Sequence, residues 1–136
     1  MIPAWLVKSE PESYSFDDLC RDGTTVWDGV KNPLALKYLR QMKLGEQVFF
    51  YHSGAERAIV GIATVVTGPR PDAAANDAKL VVVDLAAGMP LRHPVALAAL
   101  KKSGKFVNFP LVRLPRLSVM PVSPAEAKLL LSLAEG

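Results

Sequence analysis

At 136 residues, half of them hydrophobic and 21% charged, the chain can bury a hydrophobic core without metals or disulfides and is too apolar for disorder. Its lone cysteine, Cys20, excludes an internal disulfide and suits a reducing, cytoplasmic setting. The opening M-I-P-A-W-L-V-K-S-E lacks a basic n-region, and no stretch approaches the roughly 18 apolar residues of a membrane span, so neither a signal peptide nor a span is expected.

The formal net charge of +3 diagnoses no partner, but its distribution is uneven. Residues 1–30 carry six acidic and two basic residues. From Asp84 to Glu126 the chain offers Arg92, Lys101, Lys102, Lys105, Arg113 and Arg116 with no acid between. Such a stretch suits phosphate contacts, or equally a solvated face whose counter-charges come from elsewhere in the fold.

Along the chain, Trp5–Lys8 reads as a short strand bounded by Pro3 and Pro11, with Trp5 in the core. Ser15-Phe-Asp-Asp18 fits a capping box for a brief helix that Gly23 ends. After a W-D-G turn, Asn32-Pro33 supplies an N-cap and a first helical residue. Ala35, Tyr38, Leu39 and Met42 then form an apolar stripe, with Lys37, Arg40 and Lys43 off it and Gly45 as the stop. Gln47–Ser53 and Ala58–Val66 read as a hairpin closed by Gly54-Ala-Glu, and Gly61 marks a bulge or corner.

Residues 68–79 read as a surface loop and Leu80–Leu85 as a strand covered on both faces. Pro94–Lys102 suits a modest helix, followed by an irregular segment to Pro110. Leu117–Val122 returns as a strand, and Ser123-Pro-Ala-Glu126 caps a last helix whose Ala127, Leu130, Leu131 and Ala134 share a face. This pattern predicts an α+β fold: a small curved or closed β-barrel of about five strands with short helices packed outside, forming one domain over 1–136.

Most site chemistries find no pattern. His52, His93 and Cys20 lack zinc-ligand spacing, and no phosphate-cradling glycine motif or G-x-S-x-G elbow occurs. Cys20 in its helix reads as a buried structural thiol. Two clusters stand out: Lys8-Ser9-Glu10-Pro11 at a strand mouth, and Trp27-Asp28-Gly29 with Tyr51-His52-Ser53. They could converge on one pocket rim. By residue type alone Trp27 is equally a core side chain, and for Ser9 and Ser53 turn and backbone bonding is the commoner role.

The segments W-L-V-K-S-E-P (5–11), V-W-D-G-V-K-N (26–32), M-K-L-G-E-Q-V-F-F-Y-H-S (42–53), G-I-A-T-V-V (61–66) and R-L-S-V-M-P-V-S (116–123) resemble the EVE domain, in the same order and over nearly the whole chain. The EVE family belongs to the PUA-like β-barrels and is similar to the YTH domains, which read methylated adenine in RNA. The resemblance implies a non-catalytic module that binds nucleic acid, DNA or RNA, carrying a modified base such as methylated cytosine. It implies no cofactor, no metal and no membrane.

Residue by residue, it places Trp27 and Val30 of W-D-G-V at the pocket wall, Lys8 and Ser9 at its floor, and Asn32 after the turn. Tyr51, His52 and Ser53 lie opposite, and Arg116, Leu117 and Ser118 complete the rim. The further cage tryptophans of YTH domains are missing here. Lys37, Arg40, Lys101, Lys102 and Arg113 are the expected phosphate contacts. A second reading is an enzyme, by likeness to the PUA-like ASCH group of amidohydrolases acting on modified nucleosides, with Lys8, Ser9 and Glu10 as its residue types. A third is a pocket for a small metabolite.

Overall fold

The computed structural model describes residues 4–136; Pro3, expected to bound the first strand, lies outside them. The described residues form six strands and five helices. In chain order these are β1 (Ala4–Ser9), α1 (Phe16–Asp22), β2 (Thr24–Trp27), α2 (Pro33–Gln41), β3 (Gln47–His52) and β4 (Ala58–Pro71). There follow β5 (Val81–Ala96), α3 (Leu97–Ser103), α4 (Pro110–Arg113), β6 (Val119–Val122) and α5 (Pro124–Glu135).

The strands make one sheet in the order β2-β5-β4-β3-β1-β6. Only β1 and β3 pair in parallel, Lys8 opposite Tyr51 and Ser9 opposite His52. That parallel pair needs a long crossover, which α1, β2 and α2 supply. Among the described residues no ladder joins β2 to β6, so the sheet is not closed into a barrel.

Trp5, Leu6 and Val7 point alternately to opposite faces of β1, yet all three are buried, as are Val48 to Tyr51 on β3. Both strands are therefore covered on both sides, which explains their continuous apolar runs. Each buried methylene there contributes about 0.8 kcal/mol.

The capping chemistry is as expected. Ser15 Oγ accepts from Asp18 N–H while Asp18 Oδ2 accepts from Ser15 N–H. Ser123 and Glu126 exchange the same pair of bonds at the head of α5. Asn32 Oδ1 accepts from Leu34 and Ala35 N–H, with Pro33 as the first helical residue of α2.

Several expectations are corrected. Helix α2 ends at Gln41, not at Gly45, because Met42 N–H turns back to Leu39 O and Gly45 N–H is spent on Val65 O of β4. Its buried stripe also includes Leu36. On α5, Leu130 and Ala134 are buried while Leu131 is exposed. Cys20 is exposed as well: α1 buries Phe16 and Leu19, and the next position turns away from that stripe.

Two strands run further than expected: β4, the second of the hairpin, to Pro71, and β5, expected over Leu80–Leu85, from Val81 to Ala96. Residues 94–96 are thus strand, not helix. Beyond Ala86 the β2 ladder has ended, so Pro90 and Pro94 lie where β5 has one open edge, the setting in which a strand accommodates proline. Gly61 does mark a bulge, since the register slips between Phe50 and Tyr51 and between Ile59 and Gly61.

Candidate functional site

The first turn-like stretch of interest is a strand end. Trp27 is the last residue of β2, paired with Val83 of β5, and the turn begins only at Asp28-Gly29. Gly29 takes φ +74° there, a conformation that favours glycine. Four residues are too few to announce a strand by themselves; β2 exists because β5 is beside it.

Behind the indole stands an aromatic relay. Trp27 packs edge-to-face on Phe50, ring centroids 5.5 Å apart at 78°, and Phe50 packs likewise on Phe16 at 5.4 Å and 64°. Phe16 fits because Gly61 lacks a side chain; a β-carbon there would collide with its ring. The W-D-G motif is thus oriented by a glycine 34 positions later, through two phenylalanines that sequence reasoning assigned no site role.

Trp27 is partly buried, and its exposed side faces a cavity of about 400 Å³ at the ends of β1 and β2. That volume lies within the roughly 300–1,000 Å³ of small-molecule sites. Of the residues expected at the site, Lys8, Ser9, Trp27, Val30 and Ser118 line it together. Lys8 N–H donates to Ser118 O (2.9 Å), which brings the start of β6 to the cavity wall. The cavity also takes in Glu10 and Asp28, from the two clusters expected at a pocket rim, and Tyr14, Thr25 and Lys31, which the sequence did not single out for this role. For Lys31 the signal was its place within W-D-G-V-K-N; for Tyr14 there was none.

Polar groups at this mouth are partly engaged already. Lys8 Nζ donates to Pro115 O (2.7 Å) and lies 5.7 Å from the centre of the Tyr51 ring. Burial holds the Lys8 ammonium below the ordinary lysine range. Ser9 Oγ donates to Tyr14 O. The Tyr14 hydroxyl donates to Asp22 Oδ2 (2.9 Å), and burial is the chief cause that pushes its phenol above the usual range. The free acceptors at the mouth include the Asp28 carboxylate and Glu10 Oε1, the other Glu10 oxygen facing the Ser53 hydroxyl, whereas Lys8 keeps two ammonium N–H donors beyond the one given to Pro115.

The remaining expected residues lie elsewhere. Tyr51 is buried, 3% exposed, beneath Lys8, and burial raises its phenol. His52 is buried too: its Nε2 accepts from Phe16 N–H (3.0 Å), so its proton is on Nδ1 and donates to Glu56 Oε1 (2.7 Å). It holds the head of α1 in place. Ser53 bonds back to β1 through N–H to Ser9 O, with Oγ 3.5 Å from Glu10 Oε2. Asn32 is committed as the α2 cap, and it lines, with Arg116 and Leu117, a separate groove.

Of the expected phosphate contacts, Arg40 and Arg113 border grooves while Lys37, Lys101 and Lys102 are exposed on helix surfaces. Among the described residues no group of three His, Cys, Asp or Glu is placed to hold a metal ion. No helix of those residues is long and apolar enough to cross a membrane.

Comparisons with known proteins identify the family and the fold. The EVE domain profile matches residues 3–133. Thymocyte nuclear protein 1 of Homo sapiens is 34% identical over 96% of this chain and 73% of its own length. The solution structure of Rpa0253 from Rhodopseudomonas palustris superposes with a TM-score of 0.93 at 38% identity, covering 98% of this chain and 94% of that one. Human THYN1 protein, solved in complex with 5-methylcytosine-containing DNA, superposes with a TM-score of 0.92 at 32% identity, covering 98% of both chains. An ASCH protein from Zymomonas mobilis shares the fold alone, with a TM-score of 0.62 at 15% identity. The chain belongs to the EVE domain family.

Proposed function

We propose that this chain, as a single EVE domain, is a non-catalytic reader of DNA that takes a modified base, 5-methylcytosine for example, into the cavity at Trp27. One observation carries the reading: the Trp27 indole, braced on Phe50, borders an open cavity whose lining combines acceptors and donors. The human THYN1 complex with 5-methylcytosine-containing DNA supports the same class of ligand. A cytoplasmic setting is part of this proposal, since a lone cysteine suits a reducing compartment.

The chemistry suits cytosine. A carboxylate accepts from the exocyclic N4 amino group, and Asp28 and Glu10 offer one each. Lys8 and the Ser118 hydroxyl can donate to the O2 and N3 acceptors. Stacking on Trp27 is worth about 1–3 kcal/mol, comparable with the few kcal/mol that extruding a base costs. A methyl group adds only about 0.8 kcal/mol on burial, roughly fourfold in affinity. Base identity therefore rests on the polar edge, where a mismatched buried group costs about 1–3 kcal/mol, and preference for the methyl is modest.

The test is titration of methylated and unmodified oligonucleotides against the wild type and Trp27→Ala. The reading expects tighter binding of the methylated strand and loss of that preference in the variant. Identical binding of every oligonucleotide by both proteins would overturn it.

A second reading, hydrolysis of a modified nucleoside, is favoured by one observation: Lys8, Ser9 and Glu10 do line a single cavity, because β1 ends at Ser9. Against it, the Ser9 proton is committed to Tyr14 O and Lys8 is tied to Pro115 O. Incubation with acylated nucleosides followed by chromatography decides, and turnover that vanishes in Lys8→Ala would establish the enzyme.

A further inference from the structure

We infer that a single DNA strand crosses the chain over the first turn of α2, with the phosphates on either side of the bound base held in two separate cationic grooves. This rests on the reading of the Trp27 cavity as the base site.

Residues 31–34 form a divide. On one side a cavity of about 540 Å³ is bordered by Lys31 and Pro33, by Arg40 further along α2, and by Lys79 across from it. Lys31 also lines the Trp27 cavity, so the two spaces meet at that side chain. On the other side a groove of about 360 Å³ is bordered by Asn32 and Leu34, and by Arg113 and Arg116. Its wall includes Pro115, whose carbonyl takes the Lys8 ammonium of the Trp27 cavity. Both grooves therefore open beside the base site, one at each flank of the same helical turn.

Their charge fits a phosphodiester. The first groove sets Lys31, Arg40 and Lys79 against the single acid Asp77, and the second has Arg113 and Arg116 with no acid in its wall. Among the described residues no carboxylate lies within 4.0 Å of any of these five cations. Arg40 Nη2 donates to Lys79 O (2.6 Å), which holds the 72–80 segment against α2 and keeps the first groove shaped. The helix terminus itself is not the anion site, because the Asn32 side chain already takes its N–H groups. A base reaches the cavity only out of its stack, and its backbone then has neighbours on both sides to neutralise.

The experiment uses seven-nucleotide single-stranded DNA carrying 5-methylcytosine at the centre, the 5′ end or the 3′ end. Binding is measured across a salt series for the wild type, Trp27→Ala, Arg40→Ala/Lys79→Ala and Arg113→Ala/Arg116→Ala. Lys79→Ala alone serves if the first pair unfolds. With the central probe, each pair should weaken binding and flatten the salt slope, by roughly 0.7 for each phosphate no longer neutralised. Moving the modified base to one end should silence one pair, and moving it to the other end should silence the other. The crossing is overturned if either pair leaves the central probe unaffected, or if both pairs act equally at both ends. Should Trp27→Ala lose the methyl preference while the pairs do nothing, the crossing alone fails. Should Trp27→Ala change nothing, the base reading fails and takes the crossing with it.

Discussion

The two tryptophans mark opposite poles of the same sheet. Trp5 is 3% exposed, and its indole N–H donates to Glu46 Oε1 (2.9 Å), itself buried at 4%. The same oxygen accepts from Lys43 N–H, which ties the turn after α2 to β1. Trp27 also rests on the core, but it borders an open cavity and no hydrogen bond engages its N–H among the described residues. One residue type thus serves two purposes. A tryptophan whose polar atom is satisfied inside is part of the frame, whereas one with a free edge and an empty neighbour is available to a ligand.

The contrast can be broken most sharply by truncation. Trp5→Ala should cost about 3–5 kcal/mol of unfolding free energy, the usual penalty for emptying a core aromatic site. Trp27→Ala should stay folded under the same denaturant series and lose about 1–3 kcal/mol of base affinity instead. A Trp27 variant as unstable as the Trp5 variant would make both residues framework.

Gly61→Ala probes the brace behind the site. Crowding the Phe16 ring should cost about 1–3 kcal/mol. It should also shift the near-ultraviolet circular dichroism of Trp27 and weaken oligonucleotide binding, although position 61 lines no part of the cavity. Unchanged binding at full folding would uncouple the aromatic relay from the site. At the other pole, Glu46→Ala strands the Trp5 donor in the core, a loss of about 1–3 kcal/mol seen in chemical denaturation, with binding untouched.

Asn32→Ala separates a cap from a base contact. The bonds to Leu34 and Ala35 N–H predict a loss of about 1 kcal/mol of stability and an unaltered preference for the methylated base. The smallest effect concerns Lys8. Burial lowers its folded pKa below 10.5, so the unfolded chain binds more protons between the two values. Stability should rise with pH through that window and fall away as pH drops through the folded value. Lys8→Met should remove this rise, read as the difference between the two proteins' stability curves as pH approaches 10.5, in which the titration of the tyrosines cancels.

Local chemistry determined a good part of this protein from the sequence. The caps at Ser15, Asn32 and Ser123 are readable because each is closed within a few residues, and the apolar run at Leu80–Leu85 announces a covered strand, with Val82, Val83 and Leu85 buried. The family resemblance points to eleven residues as one site, and five of them, Lys8, Ser9, Trp27, Val30 and Ser118, line one cavity. Tertiary structure alone decided the rest. It made Thr24–Trp27 a strand through β5, carried β5 past two prolines along an open edge, and turned Cys20 outward. It also buried Tyr51 and His52, opened Tyr14 to the cavity, and oriented Trp27 through Phe50, Phe16 and the space left at Gly61. The physical reason is range: caps and periodicities are settled by neighbours along the chain, whereas the side chain that packs behind a residue, and the space left in front of it, depend on segments brought there by the folded sheet.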